Sequence, residues 1–384
     1  MWRHIVANFL TIAILALVAL AGLVSWSKGQ YAKPGPLAEA ICLKVERGSN
    51  FRVVADNLAQ QGAVSYPYIF KVGADYSGRS TKLKAGSYLI DAGASMEAIV
   101  DEITGSGVST CGTEVNYRIG VTAANVVVSE LDPATNKLVE VVKFDPATTS
   151  APAEYTSLAD ANDVRLRVTL AEGVTSWQVV DALSRADFLG GEVKDIPAEG
   201  SLAPQQYEVD RGEDRTLLLA QMQEVQSQNL ATLWAARSEG LPYKTPEEAL
   251  VMASIVEKET GLASERPRVA SVFLNRLAQG MKLQTDPTVI YGLTHGQGAL
   301  GRGLRQSELR SNTPYNTYVI EGLPPTPIAN PGRDSIEAAL NPEKTKYLFF
   351  VADGSGGHAF AETLAEHNDN VAKWRKIEAD QQAN

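Results

Sequence analysis

Between Ile5 and Trp26 the chain is almost unbroken apolar sequence, interrupted only by Asn8, Thr11, Gly22 and Ser25. A run of this kind is too long and too uniformly apolar for a surface helix, and it constrains how the rest of the chain can be arranged. As a helix its 22 residues reach ~33 Å, enough to cross a hydrocarbon layer of ~30 Å. A cleaved signal peptide is the competing reading, but its apolar stretch usually holds only ~7–15 residues. The span also closes on Trp26, an interface-type residue, with Lys28 just beyond it. Residues 5–26 therefore read as an uncleaved membrane anchor. Arg3 opposes Lys28 and Lys33, so the charge balance is not one-sided; the short basic head reads as a signal anchor with the bulk of the chain exported.

Behind the anchor the remaining length exceeds one compact core, and two or three domains are expected from 384 residues. The formal net charge of −10 argues against nucleic acid as a partner, because phosphate binding needs clustered Lys and Arg. Two cysteines, Cys42 and Cys111, bracket one candidate module. Export would permit a disulfide between them, and two unpaired thiols are the equal alternative.

The texture of the chain then divides it. Residues 27–40 read as a linker on the strength of Ala32-Lys33-Pro34-Gly35-Pro36. Residues 41–110 read as a small α+β module in the order strand, helix, helix, strand, helix. Ser49 and Ser95 are its expected helix caps and Gly62 its helix stop. Residues 111–165 turn to Val and Thr runs and read as a β-rich insert, with a hairpin across Asp132-Pro133-Ala134-Thr135-Asn136. Residues 166–244 form a connecting region, with a strand expected at Arg165–Leu170, mostly helix from 174 on, and Leu217–Trp234 its longest periodic stretch. Residues 245–384 carry the sequence that points to chemistry. The fold class expected is α+β throughout.

That last region opens with a capping box, Thr245-Pro246-Glu247-Glu248, and a helix that runs to Glu259 and stops at Gly261. On a helical wheel its apolar residues centre near Ala249, Ala253 and Val256. Glu257 falls ~80° to one side and Glu259 ~80° to the other, with Lys258 facing outward. Two carboxylates that diverge cannot flank one glycosidic bond, so at most one of them serves a given site. Glu259 lies nearest the helix C-terminus, where the macrodipole disfavours negative charge and raises a carboxyl pKa. A carboxyl kept protonated in this way can act as a general acid; an E-K-E sequence can equally be a solvated helix end. Beyond it, Tyr, Asn, Gln and Thr crowd the loops at Gln284–Thr285, Tyr315–Tyr318 and Asn330 with few charges among them, a composition that suits a saccharide groove and is also ordinary for loops. No two of the four histidines have helical metal-ligand spacing, no G-x-S-x-G elbow occurs, and Gly354-x-Gly356-Gly357 lacks a P-loop lysine and reads as a turn. No metal and no cofactor are expected.

Ordered motifs then make the C-terminal block specific. Ala253-Ser254-Ile255-Val256-Glu257-Lys258-Glu259-Thr260, Val269–Arg276, Leu283-Gln284-Thr285-Asp286-Pro287, Tyr315-Asn316-Thr317-Tyr318, Gly322–Ile328 and Gly356-Gly357-His358-x-Phe360 resemble the endolytic murein transglycosylase (YceG-like) family. Residues 41–110, with Leu83–Tyr88, are similar to that family's LysM-like module. The resemblance implies a single-pass protein of the bacterial inner membrane with its catalytic domain in the periplasm. It implies a lyase that cuts the MurNAc–GlcNAc bond of peptidoglycan glycan strands and leaves a 1,6-anhydro-MurNAc end, beside membrane-embedded enzymes of wall synthesis. It assigns the catalytic acid to the second glutamate of E-K-E, Glu259. Gln284, Tyr315, Asn316 and Asn330 are the expected glycan contacts, from chemistry and motif position. The 111–165 insert and Glu199-Gly200-Ser201-Leu202-Ala203-Pro204, where the family usually carries an aromatic-rich sequence, depart from the pattern. A non-catalytic wall-binding scaffold and a glycan hydrolase are the alternative readings.

Overall fold

The computed structural model describes residues 2–105, 109–159, 161 and 163–382; the end of the expected module at 106–108 and positions 160 and 162 of the insert lie outside that set. The fold is mixed α+β and separates into two compact units. One comprises residues 1–115, 127–143 and 151–165, and the other residues 116–126, 144–150 and 166–384.

The first unit begins with helix α1 (Trp2–Ala32). Its stretch Asn8–Ala32 contains an 18-residue window of mean hydropathy 2.4 with none of it buried, so it is long and apolar enough to cross a membrane. The helix continues six residues past Trp26 into the expected linker. The reason is packing within this unit: Trp26 meets Tyr66 edge-on at 5.3 Å, and the Tyr31 ring lies so close to Gly73 that no side chain would fit there. The module comes next, in the order read from the sequence: strand β1 (Ile41–Val45), helices α2 (Phe51–Gln60) and α3 (Pro67–Tyr76), strand β2 (Gly86–Ile90) and helix α4 (Met96–Thr104). Strands β1 and β2 pair antiparallel with Leu43 opposite Tyr88. The two helices and α4 bury Leu58, Phe70, Ile99 and Ile103 against them. Ser95 caps α4 as expected. The α2 cap is Asn50, whose side-chain oxygen takes the amides of Arg52 and Val53, not Ser49; both residue types cap well, and local register decides between them. Cys42 and Cys111 form a disulfide with Cα atoms 5.6 Å apart.

Strands β3 (Thr113–Ile119), β4 (Ala124–Asp132), β5 (Lys137–Phe144), β6 (Arg165–Leu170) and β7 (Gln206–Val209) form a sheet in the order β5-β4-β3-β6-β7. A short helix, α5 (Ala153–Thr156), precedes β6, and α6 (Ser176–Ser184) precedes β7. The β4–β5 turn is the expected one: Asp132 takes the Ala134 amide and the Thr135 hydroxyl, and Asn136 supplies the left-handed residue. Strand β7 lies in the stretch expected to be mostly helix. Four residues carry too little periodicity to read alone, and pairing with β6, Val168 opposite Tyr207, defines them.

Helix α7 (Arg215–Ala235) leads to α8 (Pro246–Glu259), then a single 3₁₀ turn at Ala263–Glu265 and α9 (Arg266–Ala278). Helices α10 (Asp286–Thr294), α11 (Gln306–Leu309) and α12 (Arg333–Leu340), the hairpin β8 (Phe349–Ala352) and β9 (His358–Ala361), and α13 (Leu364–Gln382) complete the second unit. Every residue of α8 from Ala249 to Val256 is buried. The helix is not one-faced but the axle of the unit, with α7, α9, α10 and α12 packed around it. Thr245 caps it through the Glu248 amide. The reciprocal arm of the capping box lands one residue upstream, where the Glu248 carboxylate takes the Lys244 amide at 2.6 Å.

Candidate active site

Because α8 is buried all round, its end is where its polar side chains emerge, and the E-K-E residues leave it in three directions. Glu257 turns to one flank. It accepts the Gly332 amide at 3.0 Å and stands 3.5 Å from Arg266, with only 6% of its side chain exposed. Arg266 also holds Glu172 at 2.7 Å and Asp334 at 3.4 Å, and a side chain at Gly332 would overlap Glu172. This is a closed ionic knot. Burial pushes the Glu257 carboxyl above the usual range, against the bond from the Gly332 amide and the charge of Arg266.

Glu259, the final residue of α8, turns to the other flank and accepts a short hydrogen bond from the Thr285 hydroxyl. The divergence drawn on the wheel is present in three dimensions, and its cause is the 100° step of the helix. Burial raises the Glu259 carboxyl above its ordinary value. The Thr285 bond opposes that, Asp286 adds to it by like-charge repulsion, and His358 and Arg276 pull the other way. The helix end adds a further upward push. Lys258 is not the outward-facing residue the wheel suggests: its ammonium donates to the Gly173 carbonyl at 3.2 Å, and burial holds its pKa below the usual lysine range. The segment around Gly173 covers that side of the helix, which no wheel shows.

Around Glu259 the charges are held in place. Asp286 is engaged by the Tyr318 hydroxyl at 2.6 Å. Arg276 donates to the Leu348 and Leu283 carbonyls, which orients the loop that leads into Thr285. His358 sits on Glu265 through its ring, at 2.7 Å, and through its backbone amide, at 3.0 Å.

The four expected glycan contacts are not brought together. Gln284 is exposed beside Thr285 in a left-handed conformation, φ 52°. Tyr315, in the loop after α11, is half-buried against α10, its ring 5.0 Å from Tyr291 and its hydroxyl 2.8 Å from Thr326. Asn316 is fully buried; its amide donates to the carbonyls of Glu308, Leu309 and Ser311, and its oxygen takes the Tyr318 amide. Asn330 is fully buried as well, tying Leu202 to Val174 and Ser176. Both asparagines shape loops and present no free amide. Conversely, Thr285, Asp286, Tyr318 and His358 surround Glu259 although none of them was among the expected site residues. Their signal in the sequence was membership of the motifs that carry the resemblance.

A cavity lies elsewhere along α8. It has a volume of 810 Å³ and reaches Glu248, Leu250 and Val251, ~12–16 Å from Glu259 by helical rise. Glu199 lines it, taking the Ser176 amide at 2.9 Å and the Tyr291 hydroxyl at 3.2 Å, with its carboxyl raised by burial.

Known proteins resemble this chain over most of its length. The model of the YceG-like family matches residues 43–136 and 143–373, and the chain belongs to that family. A Bacillus subtilis (strain 168) protein named endolytic murein transglycosylase is 29% identical over 333 residues, covering 86% of this chain and 84% of that one. A Streptococcus pneumoniae (D39) protein of the same name is 27% identical over 357 residues, 87% of this chain and 58% of the longer relative. A crystal structure of a YceG-like protein from Listeria monocytogenes aligns over 86% of this chain and 98% of its own, at 25% identity and a TM-score of 0.46.

Proposed function

We propose that this protein is a membrane-anchored lytic transglycosylase that cuts the MurNAc–GlcNAc bond within peptidoglycan strands and leaves a 1,6-anhydro-MurNAc end. The observation that carries the reading is one carboxyl, Glu259, held at a helix C-terminus with its proton favoured by burial and its geometry set by Thr285. Membership of the family and the names of the two relatives give the substrate class.

In this mechanism Glu259 donates its proton to the oxygen leaving C1 of the muramic unit, and that bond breaks. The carboxylate so formed is stabilised by the Thr285 hydroxyl and by the positive charge of Arg276. It then removes the proton from the sugar's own 6-hydroxyl, whose oxygen closes on C1. One group thus serves as acid and then as base, and the reacting hydroxyl is intramolecular. Asp286, the neighbouring carboxylate, is bound to Tyr318 and by its charge favours the protonated form of Glu259. Gln284 and Tyr315 contact the glycan, Asn316 holds the loop that carries Tyr315, and Asn330 ties the segments at Leu202 and Val174–Ser176 together.

Residues 5–26 anchor the chain in the inner membrane, the catalytic domain lies in the periplasm, the module at 41–110 is LysM-like, and membrane-embedded wall-synthesis enzymes are its neighbours. Mass spectrometry of peptidoglycan digested by the wild type and by Glu259→Gln tests the reading. Anhydro-terminated fragments from the wild type alone are the expected result. Ordinary reducing ends would make the enzyme a hydrolase with Asp286 as the candidate second carboxylate, and equal digestion by both forms would remove Glu259 from the chemistry.

A further inference from the structure

Aromatic side chains are distributed unevenly over the surface. Among the described residues every exposed tryptophan, tyrosine and phenylalanine lies in α1 or in α3 and its cap: Trp2, Phe9 and Trp26 in the first, Tyr66, Tyr68 and Tyr76 in the second. On α3 they form a row. Tyr68, Val72 and Tyr76 stand at i, i+4 and i+8 and are 79%, 44% and 81% exposed, whereas Phe70 and Ala74 point the opposite way into the module core. Lys71 and Asp75 flank the row on one side. Large apolar side chains set side by side at the surface mark a face that meets something apolar.

What this face meets follows from where α3 is attached. The helix touches α1 at three places: Tyr66 meets Trp26 at 5.3 Å, Tyr76 lies under the Lys28 ammonium at 5.4 Å, and Gly73 abuts the Tyr31 ring. From Trp26 to Tyr31 the anchor helix rises ~7.5 Å. With residues 5–26 in the hydrocarbon, Trp26 stands at its edge, and the headgroup layer beyond is ~5–7 Å deep. The stretch of α1 that holds α3 is thus the stretch that crosses the headgroups. Tryptophan and tyrosine settle at that depth, with the ring toward the acyl chains and the polar tip toward water. We infer that α3 is an interfacial helix, lying in the headgroup layer of the membrane that α1 spans, with Tyr68, Val72 and Tyr76 against lipid. The module is then seated on the bilayer through two helices and does not swing about the end of the anchor. This rests on the reading of residues 5–26 as a membrane anchor.

The test uses the full chain in vesicles of phosphatidylethanolamine and phosphatidylglycerol. Tyr68→Cys, Val72→Cys and Tyr76→Cys, made singly, each offer one thiol to a fluorophore, because Cys42 and Cys111 are bonded to each other. Lipid carrying a nitroxide on its headgroup is expected to quench most of the emission from all three labels. Tyr68→Ser together with Tyr76→Ser is expected to abolish the quenching of the label at residue 72, and Tyr68→Trp with Tyr76→Trp to keep it. A label at Leu15→Cys, read against a nitroxide deep in the acyl chain, separates the inference from the reading it rests on. Quenching there with unquenched labels on α3 would overturn the inference and leave the anchor in place. No quenching at residue 15 would remove the anchor and the inference with it. Labels on α3 that respond to soluble glycan strands and not to the lipid nitroxide would make the row a sugar-stacking face, which also overturns it.

Discussion

The module at 41–104 and the region around α8 bury similar kinds of apolar residues but treat polar ones differently. Within the module only Ser87 and Thr104 are buried polar residues, and its core is otherwise Leu, Val, Ile, Ala, Met, Phe and Tyr. Around α8 the interior admits Ser254, Thr260, Arg266, Arg276, Thr285, Thr288, Asn316, Thr317, Asn330 and Ser335. Most of these are fully bonded. Buried polar groups stabilise little beyond what they cost in lost hydration, so their density marks where geometry has been fixed at the expense of a simpler apolar core. The module is stapled from outside its core, by the Cys42–Cys111 bond. The α8 region is specified from inside.

Glu259→Gln puts the greatest strain on that contrast. Activity is expected to fall by about 10²–10⁴-fold, the usual worth of a general acid–base group. Stability should move the other way. The folded-state pKa of Glu259 is raised, so its contribution is fully present below the unfolded carboxyl value and is lost as pH rises through the folded value. Thermal melts should therefore show the variant unchanged near pH ~4 and more stable near pH ~8, and the wild-type rate should decline over the same rise in pH. A variant less stable at high pH would mean that the carboxylate is a structural anion.

Arg266→Ala strikes the ionic knot. It leaves Glu257, 6% exposed, without its cation, and a loss of ~3–5 kcal/mol is expected by denaturant unfolding. Adding Glu257→Gln should return part of that loss, because the uncompensated charge is then gone. Simple additivity would show that the two residues act independently.

Replacing Cys42 and Cys111 by serine is the smallest of the three. The bond spans a sequence separation of 69, and its removal is expected to cost about 2–4 kcal/mol, read as reduced hydrogen-exchange protection of the β1 and β2 amides. No change there would mean that the apolar core alone holds the module.

Much of the fold was legible because its signals are local. The order of elements in 41–104, the Asp132–Asn136 turn and the start of α8 at Thr245-Pro246 are set by caps, turn residues and periodicity within a few positions. The opposite facing of Glu257 and Glu259 is a consequence of helix geometry alone. The Asn50 cap lay one residue from the expected Ser49, strand β7 was missed, and Lys258 proved half-buried. The cap is a one-position choice of local register, whereas the strand and the lysine depend on partners far away in sequence, β6 and the Gly173 carbonyl.

The amino-acid sequence by itself determined the apolar helix at the N-terminus, the α+β character of the remaining chain, and the one glutamate that ends α8 on the side away from its twin. Only the tertiary structure decided that this glutamate meets Thr285, that Asn316 and Asn330 are consumed by backbone carbonyls and amides, and that Lys258 is drawn onto the Gly173 carbonyl. Periodicity and capping are properties of neighbouring residues, whereas burial and hydrogen-bond satisfaction depend on which distant segments close around a side chain.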